Sequence, residues 1–253
     1  MPVPVIRKNE AQLIEVFSSI QGEGMLIGCR QIFVRMALCN LSCGYCDTPF
    51  EPIPNCRIEE VPGFGSFRSV PNPVATETLY NILFDWQRET VGVHHSISLT
   101  GGEPLVQAEV LCEWVPVLRK VLPLHLETNG TMPEALDPLL PYLDSIAMDI
   151  KLASQSGCVT PWQEHCNFLA LARQKDCQVK IVISEETPVR EVEAAARMVN
   201  DIAPDVPLVL QPLTSEGRIS ISAPMLLDLQ TRAARLHSNV RIIPQTHRFI
   251  GLL

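Results

Sequence analysis

The segment CNLSCGYC, residues 39–46, places Cys39, Cys43 and Cys46 in the spacing C-x3-C-x2-C. Three thiolates on one short loop can bind three irons of a four-iron, four-sulfur cluster, which is usually completed by a fourth cysteine. No fourth cysteine continues this run. The spacing therefore predicts a cluster with one iron open to a substrate or cofactor, which indicates chemistry rather than electron storage.

A structural zinc site is an equally good interpretation of this segment taken alone. Zinc sites use cysteine trios that are completed by one further Cys or His, and Cys29 and Cys56 are the nearest in sequence. Reduced thiols buried as small apolar side chains are a third interpretation. The remainder of the chain has to decide between them.

The composition limits the class of protein. The chain has 253 residues, 46% of them hydrophobic, and a formal net charge of −8. A large core is therefore available, and a broad nucleic-acid or anionic-membrane surface is not expected, because phosphate binding needs clustered cations. The nine cysteines are an odd number, and the start of the chain lacks an apolar signal-peptide region, so a cytoplasmic location is expected. The apolar runs are too short to span a bilayer.

A repeated strand–helix pattern follows the cysteine segment. The apolar runs predict strands at 32–38, 96–100, 124–128, 145–150, 179–183, 207–212 and 240–244. Helices are predicted at about 76–90, 107–120, 161–175, 188–203 and 222–237. Continuous apolar runs are typical of parallel strands that are buried on both faces. We therefore expect one α/β domain over residues 1–253, built as an incomplete TIM-like (β/α)6 barrel with a doubly wound open sheet as the alternative, and with ligands at the carboxyl ends of the strands.

Residues 50–75 break this pattern. The segment contains five prolines and two glycines, which predicts a long irregular insertion directly after the cysteines. A loop of this length in a compact domain is often functional, so a cover over the metal site and a simple surface insertion are both reasonable interpretations.

A second motif, Gly101-Gly102-Glu103-Pro104, follows the strand predicted at 96–100. Alone it indicates only a strand-to-helix turn in which glycine permits close backbone approach. Together with CNLSCGYC it resembles the radical S-adenosylmethionine (radical SAM) superfamily. The resemblance implies a [4Fe–4S] cluster on the three cysteines and S-adenosylmethionine on the open iron. It also implies that the backbone at Gly102 receives the methionine amino group and that Tyr45 lies near the adenine.

Further motifs are similar to the 7-carboxy-7-deazaguanine synthase (QueE) family, from about residue 12 to the C-terminus. They are SIQGEG (19–24), Arg35, Cys46-Asp47-Thr48, ETNG (127–130), Asp149-Ile150-Lys151, Gln211-Pro212 and PQTHR (244–248). The resemblance implies conversion of 6-carboxy-5,6,7,8-tetrahydropterin to 7-carboxy-7-deazaguanine with loss of ammonia, in queuosine or 7-deazapurine biosynthesis. It further implies catalytic use of S-adenosylmethionine, a magnesium ion, an electron donor such as a flavodoxin or ferredoxin, and a homodimer.

The same resemblance implies a set of site residues. The implied catalytic residues are Arg35, Glu23 and His247. The implied substrate contacts are Ile20, Gln21, Gly22, Arg35, Thr100 and Leu253. The implied S-adenosylmethionine contacts are Tyr45, Gly102, Glu127, Asp149, Ile150, Lys151, Gln211, Pro212, Leu213 and Thr214. The implied metal ligands are Cys39, Cys43 and Cys46 for the cluster and Thr48 for Mg²⁺.

Three of these roles also make chemical sense from the residue type. Arg35 offers a planar cation that suits a carboxylate such as that of the pterin. Gln21 and Glu23 can pair with the amide and amidine groups of a pterin edge.

Two other functions share part of this pattern. A radical SAM activase that abstracts hydrogen from a glycine of a partner protein would share CxxxCxxC and GGEP, but would not need QGEG, Arg35 or the QTH tail. A non-catalytic zinc or redox protein would need only the cysteines. Iron and acid-labile sulfide separate the second alternative from an enzyme.

Overall fold

The computed structural model describes residues 9–46, 50–215 and 217–252. The strands in these residues are β1 (Glu10–Ala11), β2 (Leu13–Ile20), β3 (Arg30–Met36), β4 (Asn55–Glu59), β5 (Phe67–Pro71), β6 (Val74–Ala75), β7 (Ser96–Gly101), β8 (Leu124–Thr128), β9 (Ser145–Ile150), β10 (Asp176–Ile183), β11 (Leu208–Pro212), β12 (Thr214–Ser215), β13 (Arg218–Ile219) and β14 (Val240–Ile242). The α-helices are α1 (Thr76–Glu89), α2 (Ala108–Leu118), α3 (Pro133–Leu136), α4 (Ala153–Ser156), α5 (Trp162–Ala172), α6 (Val189–Ile202), α7 (Ala223–Ala234) and α8 (Thr246–Ile250).

One ten-stranded sheet organises the domain, in the order β14-β11-β10-β9-β8-β7-β3-β2-β4-β5. The seven strands β3, β7, β8, β9, β10, β11 and β14 pair with one another in parallel, and helices connect them. In the described residues β14 does not pair with β5, so the sheet remains open. The predicted α/β class with a mostly parallel sheet is confirmed, and each predicted strand and helix has a counterpart in the structure.

Residues 50–75 differ from the prediction of an irregular insertion. The antiparallel pair β4–β5 lies here, and β4 joins the sheet parallel to β2. The prediction of an irregular segment is therefore wrong for these strands. The physical reason is alternation: Cys56 and Ile58 in β4 are fully buried in the core, whereas Arg57 between them lies on the other face of the strand. The prolines and glycines that suggested a loop lie at the strand ends and in the connecting turn, where Glu59 accepts the N–H groups of Gly63 and Gly65 at 2.8 and 2.7 Å.

The core fills the space between the sheet and its helices. Helix α6 shows why these sequences become helices, since its buried side chains recur at the spacing of one helical face: Val192, Ala195, Ala196 and Val199. In the described residues, none of the helices is long and apolar enough to cross a bilayer.

Gln107 is a buried side chain that joins the N-terminal strands to the parallel sheet. Its Oε1 accepts the N–H of Gln12 at 2.8 Å, and its Nε2 donates to the carbonyl oxygens of Gln12 and Ala37, both at 3.0 Å. Ala37 is two residues before Cys39, so this one carboxamide fixes the end of β3 from which the cysteine segment departs.

We predict that Gln107→Leu lowers the free energy of unfolding by about 2–4 kcal/mol. The substitution leaves the buried Gln12 N–H and Ala37 carbonyl without partners, and each such group costs about 1–3 kcal/mol. Urea denaturation of the cluster-free chain measures the change. The exposed Gln163→Leu is the control and should change the free energy by less than about 0.5 kcal/mol. Equal effects of the two substitutions would contradict the assignment.

Candidate active site

A cavity of about 620 Å³ opens at the carboxyl ends of the parallel strands. This is the expected position for a ligand site in a parallel α/β fold, because the connections that leave each strand meet there. The implied site residues that line the cavity are Ile20, Gln21, Gly22, Glu23, Arg35, Cys39, Cys43, Tyr45, Cys46, Thr100, Gly102, Glu127, Asp149, Lys151, Gln211, Leu213, Thr214 and His247. The structure therefore brings together side chains that are up to 227 positions apart along the chain, from Ile20 to His247.

The cysteine loop leaves β3 through Leu38, which adopts a positive φ of 72°. The Leu38 N–H donates to Phe50 at 2.6 Å and the Gly44 N–H donates to Ser156 at 2.9 Å, so the loop is fastened on both sides. Burial raises the pKa of the Cys39 and Cys43 thiols, and the nearby positive charge of Lys151 opposes this increase. Lys151 therefore favours the thiolate form, which is the form that binds metal.

The arrangement of the thiols also bears on the choice between zinc and a cluster. Within the described residues, no group of three His, Cys, Asp or Glu side chains converges closely enough to hold a single metal ion. A zinc ion needs its ligands around one point at about 2.3 Å from sulfur, whereas each cysteine of a cluster binds a different iron. All three thiols line the same cavity, as the ligands of one cluster would.

The turn after β7 packs directly against the cysteine loop. The Gly102 N–H donates to Met36 at 3.0 Å and the Glu103 N–H donates to Leu38 at 2.8 Å. A β-carbon on Gly102 would lie 2.0 Å from the Leu38 carbonyl oxygen and 3.1 Å from Phe50 Cβ. Only glycine fits at this position, and it keeps the backbone of the two motifs in contact.

Glu103 of the same motif holds two strand ends together. Its fully buried carboxylate accepts from the Thr128 hydroxyl at 2.9 Å and from the N–H groups of Asn129 and Leu105 at 2.7 and 3.0 Å. Burial raises its pKa, while these hydrogen bonds oppose the increase. Glu103 therefore connects the turn after β7 to the end of β8.

Three buried polar atoms on one side of the cavity have no hydrogen-bond partner among the described residues: Asp149 Oδ1, Gln211 Oε1 and Thr214 Oγ1. Buried polar groups in folded proteins are nearly always paired, so atoms left open on a cavity wall indicate a ligand that pairs with them. Two acceptors and one hydroxyl suit the amino and hydroxyl groups of an adenosine-containing cofactor. These residues therefore fit S-adenosylmethionine.

A row of buried charges runs from the cysteine loop to the other side of the cavity. The Lys151 ammonium donates to Tyr45 Oη at 3.0 Å and to Asp149 Oδ2 at 2.9 Å. Lys180 Nζ lies 3.3 Å from the same Asp149 oxygen and 2.5 Å from Glu23 Oε2. Gln245 Nε2 completes the row by donating to Glu23 Oε1 at 2.7 Å.

The electrostatics of this row favour the charged forms of Glu23, Lys151 and Lys180. Burial by itself raises the pKa of Glu23, but the charge and hydrogen bond of Lys180, together with the hydrogen bond of Gln245, lower it to about 2. Burial lowers the pKa of Lys151 and Lys180, but Asp149 and, for Lys180, Glu23 hold both well above the usual value. At neutral pH the cavity wall therefore presents two ammonium groups and the Glu23 carboxylate.

Glu127 organises the opposite side of the cavity. Its Oε1 accepts from Gln21 Nε2 at 2.7 Å and from Ser98 Oγ at 3.1 Å, and its Oε2 accepts from Thr100 Oγ1 at 3.0 Å. The resemblance assigned Glu127 to S-adenosylmethionine, but its carboxylate contacts Gln21 and Thr100, which were assigned to the substrate. Glu127 therefore lies between the residues assigned to S-adenosylmethionine and the residues assigned to the substrate.

Arg35 lies in a row that the strand register creates. Arg57, Glu15, Arg35 and Thr100 are opposite one another across β4, β2, β3 and β7. Arg35 Nε donates to Glu15 Oε1 at 2.9 Å, and Arg57 Nη1 lies 3.6 Å from Glu15 Oε2. Glu15 therefore fixes one edge of the Arg35 guanidinium, and its two terminal nitrogens have no hydrogen-bond partner among the described residues.

The C-terminal segment closes one end of the cavity. The Thr246 N–H donates to the Gly22 carbonyl at 2.9 Å, and a β-carbon on Gly22 would lie 2.1 Å from His247 Nδ1. Gly22 thus permits the His247 ring to pack on the QGEG turn. Two implied residues, Thr48 and Leu253, lie outside the described residues.

Two implied S-adenosylmethionine contacts do not reach the cavity. The Ile150 side chain is buried in the hydrophobic core, and Pro212 is buried away from the cavity wall. The cause is alternation along a strand: Asp149 and Lys151 face the cavity and Ile150 faces the opposite side. The side-chain assignments of Ile150 and Pro212 are therefore corrected, and only their backbone groups remain available to a cofactor.

The implied set omits, among other residues that line the cavity, the polar or charged side chains of Glu15, Arg57, Lys180 and Gln245. Lys180 carried a usable signal, because a lysine inside the apolar run VKIVI must find a buried partner. Arg57 carried none, since it lies in the segment that was expected to be a loop.

We predict that Gly102→Ala lowers both the thermal midpoint and the iron and acid-labile sulfide content per chain after anaerobic reconstitution. The added carbon would overlap the Leu38 carbonyl, so the cysteine loop must shift, at a cost of about 1–3 kcal/mol. Gly44→Ala is the matched control within the same loop, because its β-carbon would lie 3.9 Å from the nearest atom. A normal cluster content in Gly102→Ala would contradict the close contact.

Comparison with known proteins agrees with this geometry. The model of the radical SAM superfamily matches residues 33–199, which is more than half of the chain. A 7-carboxy-7-deazaguanine synthase of Geobacter sulfurreducens is 48% identical, covering 97% of this chain and 99% of the relative. One of Methanothermobacter thermautotrophicus is 32% identical, covering 96% and 98%. The crystal structure of QueE from Escherichia coli matches with a TM-score of 0.58 at 21% identity, covering 93% of this chain and 94% of that one, and supports the fold. The chain belongs to the radical SAM superfamily and, within it, to the 7-carboxy-7-deazaguanine synthase family.

Proposed function

We propose that this chain is a carbon–nitrogen lyase that converts 6-carboxy-5,6,7,8-tetrahydropterin to 7-carboxy-7-deazaguanine with loss of ammonia. One observation carries the proposal: a single cavity holds the three thiols of the cysteine loop and the polar residues Gln21, Arg35 and Glu127. A radical source and a polar substrate pocket thus share one volume of about 620 Å³, which is within the usual size of a small-molecule site.

The cofactor residues occupy one side of this cavity. Cys39, Cys43 and Cys46 would hold the [4Fe–4S] cluster, and the open polar atoms of Asp149, Gln211 and Thr214 would pair with S-adenosylmethionine. When bound, these groups supply the 5′-deoxyadenosyl radical that abstracts a hydrogen atom from the substrate. The protein contributes orientation and the exclusion of water.

The substrate residues occupy the other side. The two terminal nitrogens of Arg35 would bind the pterin carboxylate in a bidentate manner, while Glu15 holds the guanidinium in place. Ile20 and Gly22 would contact the ring, and Thr100, held by Glu127, would hydrogen-bond it. His247 lies on the QGEG turn, where it would hydrogen-bond the substrate or move a proton near neutral pH. We extend the substrate contacts to Leu253, on the basis of the family resemblance.

The decisive experiment is an anaerobic turnover with reductant, S-adenosylmethionine and carboxytetrahydropterin. We expect wild-type protein to form carboxydeazaguanine. Absence of this product from protein with an intact cluster would refute the proposed function.

We predict that Cys43→Ala abolishes the cluster and the cleavage of S-adenosylmethionine. Three thiolates are needed to hold the cluster while one iron stays open, so two cannot retain it in an active form. Iron and sulfide analysis and detection of 5′-deoxyadenosine measure the two losses. Cys112→Ala in α2, away from the cavity, is the control and should retain both. Cleavage by the Cys43 variant would refute its assignment as a ligand.

Magnesium is part of the proposal through Thr48. Mg²⁺ keeps several waters and needs few protein oxygens, so one hydroxyl with substrate oxygens can complete its coordination. The ion would neutralise the substrate carboxylate beside Arg35.

We predict that Thr48→Ala weakens the dependence of turnover on Mg²⁺ and leaves the cluster content unchanged. The initial rate is measured against Mg²⁺ concentration for both proteins, with iron content as the internal control. A Mg²⁺ response identical to that of the wild type would rule out Thr48 as a ligand.

The proposal includes a homodimer, a cytoplasmic location and an electron donor of the flavodoxin or ferredoxin type, and these remain predictions.

Neither alternative function accounts for the polar half of the cavity. A glycyl-radical activase would not use Gln21, Arg35 or the C-terminal QTH segment, and a zinc protein would use only the cysteines.

A further inference from the structure

Lys180 is a charged residue in the middle of an apolar strand. It lies in β10, opposite Asp149 of the neighbouring β9, in the parallel register that pairs the two residues. Residues paired in this way point to the same face of the sheet, and here that face is the cavity wall. Only 17% of the Lys180 side chain is exposed, although it borders the cavity.

Stability alone does not explain a lysine at this position. Replacing a buried ion pair with packed apolar side chains is often neutral or stabilising. Asp149 already has the ammonium of Lys151 at 2.9 Å, whereas Lys180 is farther from it, at 3.3 Å. The nearest partner of Lys180 is instead Glu23, at 2.5 Å. The pair Lys180–Glu23 therefore forms the closest contact in the row of charges on the cavity wall.

Lys180 and Glu23 have more hydrogen-bond donors and acceptors than they have partners among the described residues. An ammonium has three N–H donors, and those of Lys180 have two partners among the described residues, Glu23 and Asp149. The Glu23 carboxylate has about four acceptor positions and takes hydrogen bonds from Lys180 and Gln245. The pair thus offers one free donor beside free acceptor positions.

A 2-amino-4-oxo pyrimidine edge, as in a pterin, requires this combination. It presents one acceptor, the 4-oxo oxygen, followed by two donors, the N3–H and the 2-amino group. We infer that Lys180 is a substrate-binding and specificity-determining residue whose ammonium donates to the 4-oxo oxygen while Glu23 accepts from N3–H and the 2-amino group. The inference rests on the proposed function and adds Lys180 to its substrate contacts.

Donation by Lys180 would select for a 4-oxo ring over a 4-amino ring. A substrate analogue with a 4-amino group in place of the 4-oxo group would present a donor to the Lys180 donor. A site that offers a buried donor to a matching donor rejects the ligand strongly, because both groups lose their hydrogen bonds to water. Lys180 would therefore enforce the choice of the 4-oxo ring.

We predict that Lys180→Gln reduces the preference for the 4-oxo substrate over its 4-amino analogue by about 10- to 100-fold. A carboxamide can donate to an oxo group or accept from an amino group, so it tolerates both rings. Fluorescence titration of the anaerobic holoenzyme with each pterin gives the two dissociation constants. Glu23 is present in both proteins, so its own contribution to the preference, including its contact with N3, which carries no hydrogen in the 4-amino ring, enters both ratios.

Kinetics provide a second readout. Lys180→Gln should raise the KM for the 4-oxo substrate with a smaller change in kcat, and Lys180→Arg, which keeps charge and donors, should retain the 4-oxo preference. The exposed Lys120→Gln is the matched control and should leave the ratio unchanged. An unchanged ratio in Lys180→Gln, or a lower kcat with an unaltered KM, would overturn the inference.

Two further results would not count against Lys180 itself: misfolding of the Lys180→Gln variant, and failure of the wild-type enzyme to use the pterin. If Lys180→Gln does not fold, the comparison is made between Glu23→Gln and the double variant Glu23→Gln/Lys180→Gln, in which no unpaired Glu23 carboxylate remains. The same fall in ratio between these two supports the inference, and an equal ratio overturns it. If wild-type holoenzyme neither binds nor converts carboxytetrahydropterin, the proposed function itself fails.

Discussion

Four buried charges arranged in alternating sign connect the two halves of the candidate active site. Lys151, Asp149, Lys180 and Glu23 follow one another at distances between 2.5 and 3.3 Å, with side-chain exposures of 12–22%. Isolated, any one of them would be too costly to bury in the charged form. Each side chain has an oppositely charged neighbour, so the cost of burying each charge depends on that neighbour staying in place. The positions of the β9 and β10 ends are therefore tied to the QGEG turn through charge balance.

This row also gives the cavity its polarity. At one end Lys151 contacts Tyr45 in the cysteine loop, where its charge favours thiolates. At the other end Glu23 contacts Gln245, so the C-terminal segment is held to the same network. The cofactor side and the substrate side share a continuous set of contacts, which explains how a pocket assembled from both termini and several strand ends has a defined shape.

The architecture was accessible from sequence because continuous apolar runs mark buried parallel strands. The hairpin of β4 and β5 was not, since its strands are short and the prolines around them favour a loop. Ile150 and Pro212 were assigned to the site as members of motifs, although alternation along β9 and β11 already argues that only every second side chain faces a ligand. Lys180 differs from these residues, because the sequence marks it as a buried charge but does not identify its partner. Its partner Glu23 is 157 residues away, and only the folded sheet brings them together.

The hairpin of β4 and β5 also places a second arginine beside Glu15. Because β4 pairs with β2, Arg57 lies beside Glu15, and its guanidinium stacks on Phe67 with 4.3 Å between Cζ and the ring centroid. Glu15 is thereby placed between two arginines and can hold Arg35 by Nε without neutralising the whole group. A single arginine paired with a carboxylate would offer little net charge to an anionic substrate. Two arginines around one glutamate leave a net positive charge, so the segment that interrupts the strand–helix pattern adds positive charge to the part of the cavity wall that we propose binds the substrate's carboxylate.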